Sequence, residues 1–264
     1  MPRLLIPAKP DAHGVLHDVT PESAGWTYVG FSTRKLAAGG SAGVATGERE
    51  VCLVVLSGRV SVSAPGFVSG LIGERADVFS GSPWSVYLPP RSQASVVAEG
   101  EAEIALCSAP ATGKLKARVI PPDAVETLTR GKGTNLRHVR NILSETSEAE
   151  SLLVVEVITP SGHWSSYPPH KHDQDDLPRE SALEETYYHR LNPPQGYAMQ
   201  RVYTDDRSLD ETMTVTDRDV VLVPRGYHPC AAAHGYELYY LNVMAGPKRV
   251  WRFHNDPAHE WLLA

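Results

Sequence analysis

Two histidines, His170 and His172, stand two positions apart and could bind one metal ion together. On a strand, side chains at i and i+2 lie on the same face, so the two imidazoles would converge. An HxH pair is common in proteins, and alone it is weak evidence for a metal site. Two later features strengthen the case for a metal site. The adjacent carboxylates Glu184 and Glu185 begin an aromatic run, and a third imidazole, His228, follows a Pro-Arg-Gly corner. Three imidazoles and one carboxylate are a ligand set that suits zinc, manganese, iron or nickel.

Composition and charge narrow the classes of partner. The chain has 264 residues, 42% of them hydrophobic, which is enough for one large domain or two moderate ones. With 25 Lys and Arg against 31 Asp and Glu, the net charge of −6 provides no basic field for nucleic acid or an anionic membrane. Cys52, Cys107 and Cys230 form no CxxC pair, and no apolar run has the length of a secretory signal or a membrane span. We therefore expect a cytoplasmic protein that binds neither nucleic acid nor membrane.

The elements that position these residues are predicted to be strands. Short runs rich in Val, Tyr and Thr recur between turns, and one short helix is predicted at Thr146–Leu152. The predicted strands are Val51–Leu56, Arg59–Ser63, Trp84–Leu88, Ala102–Cys107, Leu152–Ile158, Glu185–His189, Tyr197–Tyr203, Asp219–Val223, Tyr236–Val243 and Val250–Phe253. Strands of this length and spacing indicate an all-β sandwich or barrel.

The two halves of the chain have similar patterns. Each contains a strand that follows acidic residues and a later strand that ends in proline. We therefore predict two related β-domains, 1–125 and 126–264, connected within the segment Val119–Asn141. Histidine is absent between positions 18 and 137, so the reaction centre is expected in the second domain.

The order H-x-H, Glu, then P-x-G-x-H resembles the metal motifs of the cupin superfamily. In that superfamily three His and one Glu project into the mouth of a small β-barrel. The segment Asp173–Leu183 is longer than the family's spacing between the second His and the Glu, so it is expected to loop out. The family's E-x-x-Y pattern fits Glu185 if Tyr188 is the matching tyrosine, and Glu184 if Tyr187 is. Adjacent strand residues face opposite sides, so only one of the two is a ligand, and we choose Glu185.

Longer stretches carry a more specific resemblance. They are Gln200–Asp210, Val223–Pro229, Tyr239–Pro247 and Gly131–Arg140. Together they resemble the 5-deoxy-glucuronate isomerase family of bacterial myo-inositol catabolism, which is similar to the ketol-isomerases of 4-deoxy-5-keto-uronates. The resemblance implies a bicupin, an all-β fold of two tandem double-stranded β-helix (jelly-roll) barrels. The first barrel, without histidines at the motif, is expected to hold no metal.

The resemblance also implies an activity and a cofactor. The expected reaction is the aldose–ketose conversion of 5-deoxy-D-glucuronate to 5-dehydro-2-deoxy-D-gluconate through a metal-stabilised cis-enediolate. The implied ligands of one divalent ion per chain are His170, His172, Glu185 and His228. Zinc is the expected metal, with manganese, iron and nickel as alternatives. The expected partner is therefore a small deoxy-uronate, and exposed edges of the first barrel favour a homo-oligomer.

The reaction also needs groups that move protons and bind the substrate carboxylate. Candidates for acid–base catalysis and hydrogen-bond donation are His189, Tyr203 and Tyr240. Candidates for binding the carboxylate are cationic, because a guanidinium or ammonium group pairs with it: Arg201, Arg225 and Lys248.

Two other functions are compatible with the motif. The same ligand set binds Fe(II) in cupin dioxygenases, and some bicupins bind sugar acids without turnover. The residues around the motif are rich in Tyr, Arg and Gln, which favours a hydroxylated acid over dioxygen as the ligand. Isomerisation in the absence of oxygen would distinguish the three functions.

Overall fold

The structure, a computed structural model, describes residues 3–263 and consists mostly of strands, which confirms the predicted all-β class. Contacts between residues divide the chain into two compact units. The N-terminal unit comprises residues 8–126 and 141–154, and the C-terminal unit comprises residues 127–140, those from 155 onward and those before 8. The units interleave along the chain, whereas the sequence-based division into 1–125 and 126–264 uses a single boundary and stays a prediction.

The first half of the chain forms short strands and one α-helix, α1 (Pro21–Ala24). The strands are β1 (Leu5–Ile6), β2 (Val15–Val19), β3 (Gly30–Leu36), β4 (Ser41–Ala45), β5 (Arg49–Ser57), β6 (Val60–Ala64), β7 (Phe67–Ile72), β8 (Ser85–Leu88), β9 (Gln93–Ala98), β10 (Ala102–Pro110) and β11 (Arg118–Ile120). In the N-terminal unit they build a six-stranded sheet of order β11-β8-β5-β10-β3-β2 and a four-stranded sheet of order β4-β9-β6-β7. Strand β1 belongs to the C-terminal unit, where it pairs with a later strand.

The core of the N-terminal unit is aliphatic. Alternate residues of β5, Val51, Leu53 and Val55, face the same side and pack with Leu106 and Ile104 of β10. These side chains are almost fully buried, and the burial of each contributes about 1.5–3 kcal/mol to the stability of the fold. The hydrophobic interior therefore holds the two sheets of this unit together.

The helix predicted at Thr146–Leu152 is wrong, because this segment is a loop without helical hydrogen bonds. Its backbone N–H groups donate instead to the buried carboxylate of Glu50: Glu150 N at 2.9 Å, Ser151 N at 2.6 Å and Leu152 N at 2.7 Å. A side chain distant in sequence thus satisfies the donors that a helix would have paired internally.

The second half of the chain forms the larger part of the C-terminal unit. Its strands are β12 (Glu126–Arg130), β13 (Arg137–Leu143), β14 (Leu153–Thr159), β15 (Trp164–Ser165), β16 (His170–Lys171), β17 (Asp173–Asp176), β18 (Glu180–Ala182), β19 (Glu184–Asn192), β20 (Ala198–Tyr203), β21 (Asp210–Val215), β22 (Val220–Val223), β23 (Cys230–Ala232), β24 (Glu237–Ala245) and β25 (His254–Asn255). Short 3-10 helices lie at Pro122–Ala124, Gly133–Asn135 and Pro257–Leu263.

These strands also form two main sheets. The larger has the order β1-β22-β19-β24-β14-β13-β12 and the smaller the order β15-β23-β20-β21. Strands β19 and β24 are long and pair antiparallel over their full length, with Glu185 opposite Met244 and Tyr187 opposite Asn242. Because side chains alternate along β19, Glu185, Tyr187 and His189 lie on one face.

Three local expectations can be compared with this arrangement. The strand predicted at Val250–Phe253 is wrong, since pairing begins only at His254, which lies opposite Lys171. The predicted connection Val119–Asn141 contains β12 and most of β13. The segment Asp173–Leu183, expected to loop out, folds into the β17–β18 hairpin. Among residues 3–263, no helix has the length and hydrophobicity to cross a membrane.

Candidate metal centre

Three side chains from separate parts of the C-terminal unit converge at one point. His172 precedes the β17–β18 hairpin, Glu185 lies near the start of β19, and His228 follows the turn after β22. Their potential ligand atoms all lie within 4.8 Å of one another, and all three residues are buried. Oε2 of Glu185 lies 3.1 Å from Nε2 of His172 and 3.2 Å from Nε2 of His228. The carboxylate at this cluster is therefore that of Glu185, whereas Glu184 is half-buried on the opposite face.

Backbone carbonyls orient the imidazole rings. Nδ1 of His172 lies 3.1 Å from the carbonyl oxygen of Leu183, and Nδ1 of His228 lies 2.8 Å from that of Gly226. When these Nδ1–H groups donate to the carbonyls, each Nε2 presents a lone pair to the cluster. Hydrogen bonds of this kind commonly fix the tautomer of metal-ligating histidines.

The chemistry of this donor set fits a cation. With both Nδ1 atoms protonated, two imidazole lone pairs and a carboxylate face one another in a buried space. Nε2 of His228 has no hydrogen-bond partner within residues 3–263, although it is buried. Burial lowers the pKa of His228 to about 4, which keeps this imidazole neutral at pH 7. A divalent ion would satisfy all three groups, since neutral imidazoles and a carboxylate are ordinary ligands for it.

His170, the fourth predicted ligand, lies beside this cluster. Its ring centroid is 4.9 Å from that of His228 and 6.3 Å from that of His172. Its ligand atoms do not belong to the group within 4.8 Å that the other three form. Burial, followed by the nearby imidazoles and Arg137, holds the pKa of His170 well below its usual value. A role of His170 as a ligand therefore stays a prediction.

A buried ion network holds the hairpin against the ligand loops. Nζ of Lys171 lies 2.8 Å from Oδ1 of Asp173 and 3.3 Å from Oε1 of Glu180. The backbone N–H of Gly226 donates to Oδ2 of Asp173 at 2.8 Å. Since Gly226 accepts the hydrogen bond of the His228 ring, Asp173 connects the His170–His172 segment to the turn that carries the third imidazole. The acidic insertion thus positions two of the candidate ligands, His172 and His228.

Two adjoining cavities open beside the cluster. The larger has a volume of about 430 Å³, and the smaller, of about 40 Å³, is lined by Glu185 among others. Both cavities are lined by Arg130, Arg137, His170 and Phe253. Basic side chains next to buried imidazoles and a carboxylate give the site the character of a small anion pocket beside one set of candidate metal ligands.

Two tyrosines line the smaller cavity, Tyr187 and Tyr240. Their ring centroids are 4.9 Å apart. The hydroxyl of Tyr187 lies 2.8 Å from Oγ of Ser166, and that of Tyr240 lies 2.5 Å from Oγ of Ser165. Burial raises the pKa of both phenols, so both keep their protons at neutral pH and can donate hydrogen bonds.

The structure places the other two predicted catalytic residues differently. His189 is fully buried with its ring 5.8 Å from that of Tyr187, and its Nε2 lies 2.8 Å from Oε1 of Gln200. The hydroxyl of Tyr203 donates to Asp256 at 2.8 Å. Neither residue lines the two cavities within the described chain. Of the three candidates, Tyr240 alone does so.

The three predicted cationic residues also lie away from these cavity walls. Arg201 forms a two-pronged ion pair with Asp210, at 2.8 and 2.7 Å. Lys248 pairs with Asp175 at 2.9 Å, and a guanidinium nitrogen of Arg225 lies 3.4 Å from Oγ of Ser208. Residues 3–263 supply other basic groups to the walls, and none of these three is among them.

Arg137 and Tyr187 are residues that the sequence analysis did not select. Arg137 lies within Gly131–Arg140, one of the stretches that carry the family resemblance, but far from the histidine motif in sequence. Tyr187 follows Glu185 at the two-residue spacing of a strand face, and this spacing is the signal that could have identified it.

Comparison with known proteins identifies the family of this chain. The model of the KduI/IolB family matches residues 4–262. A 5-deoxy-glucuronate isomerase of Geobacillus kaustophilus is 55% identical and covers 100% of this chain and 96% of its own length. That of Bacillus subtilis strain 168 is 49% identical and covers 97% of each chain.

Solved structures support the fold. An IolB-like protein from Salmonella typhimurium LT2 superposes with a TM-score of 0.97 at 50% identity, covering 99% of this chain and all of its own. Bacillus subtilis oxalate decarboxylase, a cupin, superposes with a TM-score of 0.65 at 13% identity over 97% of this chain and 80% of its own. The latter likeness concerns the fold alone, and it confirms the bicupin architecture. With a family match over residues 4–262 and relatives 49–55% identical over nearly the whole of both chains, the chain belongs to the KduI/IolB family.

Proposed function

We propose that this protein is an aldose–ketose isomerase that converts 5-deoxy-D-glucuronate to 5-dehydro-2-deoxy-D-gluconate, a step of myo-inositol degradation. One observation carries the proposal: His172, Glu185 and His228 converge beside a basic cavity, in a chain 55% identical over its whole length to a 5-deoxy-glucuronate isomerase. The smaller cavity has Tyr187, Tyr240, Arg130 and Arg137 beside its apolar wall residues, and these polar groups favour a hydroxylated acid over dioxygen as the ligand.

We assign one divalent ion to this site, with zinc as the first candidate. Its proposed ligands are His172, Glu185 and His228, with His170 as the fourth. The donor types and the unpartnered Nε2 of His228 support this assignment. When bound, such an ion supplies Lewis-acid stabilisation of negative charge on neighbouring substrate oxygens.

Tyrosine hydroxyls provide the hydrogen-bond donors for the substrate oxygens. Moving a carbonyl between adjacent carbons builds negative charge on the oxygens of both, and fixed donors aimed at them lower the barrier. Tyr187 and Tyr240 are protonated and anchored through serine hydroxyls at fixed distances. His189 is stacked on the ring of Tyr187 and hydrogen-bonded to Gln200, so it supports the orientation of the tyrosine ring. We therefore assign donation to the tyrosines and a positioning role to His189.

We assign to Arg137 the binding of the carboxylate at the far end of the substrate. It lines both cavities, and one of its terminal nitrogens donates to the carbonyls of Asn135 and Tyr167, at 3.0 and 3.3 Å. These bonds fix the guanidinium plane, and a fixed guanidinium can pair with a carboxylate through two parallel hydrogen bonds. Arg130 and Lys132 add positive charge to the larger cavity.

An anaerobic assay with 5-deoxy-D-glucuronate, combined with metal analysis, tests the proposal. The wild-type protein is expected to hold about one divalent ion per chain and to form the ketose without oxygen. His172→Ala should lose both the ion and the turnover, whereas His13→Ala, at an exposed position of the N-terminal unit, should lose neither. Full activity after exhaustive chelation, dependence on oxygen, or binding without conversion would each contradict the proposal.

A further inference from the structure

The N-terminal unit has a polar cavity of its own. Its volume is about 320 Å³, at the lower end of the range of roughly 300–1,000 Å³ found for small-molecule sites. It lies at the end of the barrel where β5 begins and β10 ends. In the C-terminal unit the equivalent strands are β19 and β24, and the metal-ligand cluster lies at the same end of that pair.

The inward faces of the strands change character at this end. Along β3, Leu36 belongs to the aliphatic core, while Arg34 and Ser32 on the same face line the cavity. Along β10, Leu106 is followed at two-residue spacing by Ser108. A barrel that is otherwise filled with aliphatic side chains therefore ends in guanidinium and hydroxyl groups.

Two of these polar atoms have no partner. Oγ of Ser32 and Nε of Arg34 are buried and form no hydrogen bond within residues 3–263. Ser32 is 8% exposed. Arg34 donates through Nη1 to the carbonyl of Gly43 at 3.0 Å and forms no ion pair in the described chain. A buried donor without a partner costs about 1–3 kcal/mol, and a ligand or water that pairs with these two groups would remove that cost.

A second guanidinium is held rigidly on the same wall. Nε of Arg49 donates to Oγ of Ser108 at 3.0 Å, and Nη2 donates to the carbonyls of Ser108, at 3.0 Å, and Tyr28. These contacts immobilise Arg49 before any ligand arrives. Two arginines and several hydroxyls around a small cavity are a recognition set for a carboxylate that bears hydroxyl groups.

The carboxylates at this cavity are at its rim. Asp18 and Glu22 line it but are exposed, where water and salt screen their charge. Exposed carboxylates accept hydrogen bonds from hydroxyl groups, so they can bind the neutral end of a hydroxy acid whose charged end faces Arg34. We infer that the mouth of the N-terminal barrel is a second ligand site, which binds a small polyhydroxy carboxylic acid. This inference does not depend on the proposed catalytic function.

Calorimetric titration with D-glucuronate tests the second site. The titration uses the full chain carrying Arg137→Met, which weakens binding at the catalytic cavity, and adds either Arg34→Met or Ser32→Ala. Arg34→Met should weaken binding about tenfold or more, the loss typical of a charge-assisted hydrogen bond. Ser32→Ala should weaken it severalfold with little risk to folding, and Arg201→Met, in an exposed ion pair, should leave it unchanged.

The controls define the chemical class. D-Glucose should bind far more weakly than D-glucuronate, because it lacks the charge that the arginines pair with. Unchanged binding in both the Arg34 and Ser32 variants, equal affinity for glucose, or binding of inorganic phosphate without glucuronate would each overturn the inference. Thermal unfolding of each variant shows whether a loss of binding reflects a loss of fold, and Ser32→Ala decides the matter if Arg34→Met does not fold.

Discussion

Each barrel has a buried carboxylate near the start of equivalent strands, but the two side chains face opposite sides of their sheets and have different partners. In the N-terminal unit, Glu50 precedes the inward residue Val51, so it faces away from the barrel interior and binds backbone N–H groups of residues 150–152 and the hydroxyl of Tyr87. In the C-terminal unit, Glu185 lies on the face of Tyr187 and points into the barrel. A shift of one residue on a strand exchanges the two faces. The same residue type thus holds a loop in one barrel and belongs to the candidate metal cluster in the other.

Among the substitutions that test this comparison, we expect the largest effect, on metal binding and turnover, at Glu185. Glu185→Gln removes the negative charge that two imidazoles share, and we expect metal affinity to fall by more than about 100-fold, with turnover lost in parallel. The adjacent Glu184→Gln, on the other face, is the matched control and should retain metal. Elemental analysis and the isomerase assay measure both, and a Glu185 variant that keeps its ion would contradict the assignment.

Glu50→Ala should affect stability and leave metal content unchanged. It deprives three backbone donors and the Tyr87 hydroxyl of their acceptor, and we expect a loss of about 3 kcal/mol or more in the free energy of unfolding. Glu48→Ala, in an exposed ion pair with Arg91, should change it by less than about 0.5 kcal/mol. Denaturant unfolding with metal analysis tests the pair. Equal stabilities of the two variants would show that Glu50 does not anchor the loop.

Arg137→Met should weaken substrate recognition. The loss of a charge-assisted pair with the carboxylate should lower kcat/KM about 10- to 100-fold, mainly through a higher KM. Arg201→Met is the matched control, because its guanidinium pairs with Asp210 at the surface, and its kcat/KM should change less than about twofold. Steady-state kinetics on both variants measure this. A larger effect at Arg201 than at Arg137 would favour the carboxylate site expected from sequence.

The smallest expected effect concerns pH and His189. Burial lowers the pKa of His189 to about 4, below the ordinary value of 6.5, so between these values the unfolded chain binds a proton that the folded chain does not. Stability should therefore fall as the pH drops from about 6.5 to about 4. His189→Gln removes this titration, and its unfolding midpoint should fall less steeply over that range. The exposed His13→Gln should behave as wild type, and identical profiles for all three proteins would refute a neutral buried His189.

Much of the fold could be predicted because strand periodicity is local. The runs that became β5, β10, β19 and β24 were recognisable from alternating and β-branched residues, although their ends extended further once neighbouring strands paired. Thr146–Leu152 could not be predicted, since its backbone donors are satisfied by a carboxylate about a hundred positions earlier. Val250–Phe253 has strand composition, yet its contact with β18 runs through Ser181, whose backbone N–H donates to the Arg252 carbonyl and whose hydroxyl accepts from the Arg252 N–H, and no strand ladder is assigned to it.

Some residues of the candidate site could also be predicted from sequence, and others could not. The motif spacing selected four residues, and three of them, His172, Glu185 and His228, meet in space, because strand spacing and a Pro-Gly corner restrict where each side chain points. Metal binding by these residues and by His170 stays a prediction. Arg201, Arg225 and Lys248 were chosen for charge and proximity in sequence. Charge does not indicate direction, and each of the three faces a partner outside the cavity walls.

The sequence by itself determined the residue types for chemistry, the strand alternation that sets their faces, and membership of a family through its motifs. Only the tertiary structure decided which arginines line the cavity, which carboxylate of an adjacent pair joins the imidazoles, and which tyrosines can donate there. The physical reason is that ligand sets and cavity walls depend on distances between strands remote in sequence. Those distances follow from the packing of two complete sheets, and no local pattern records them.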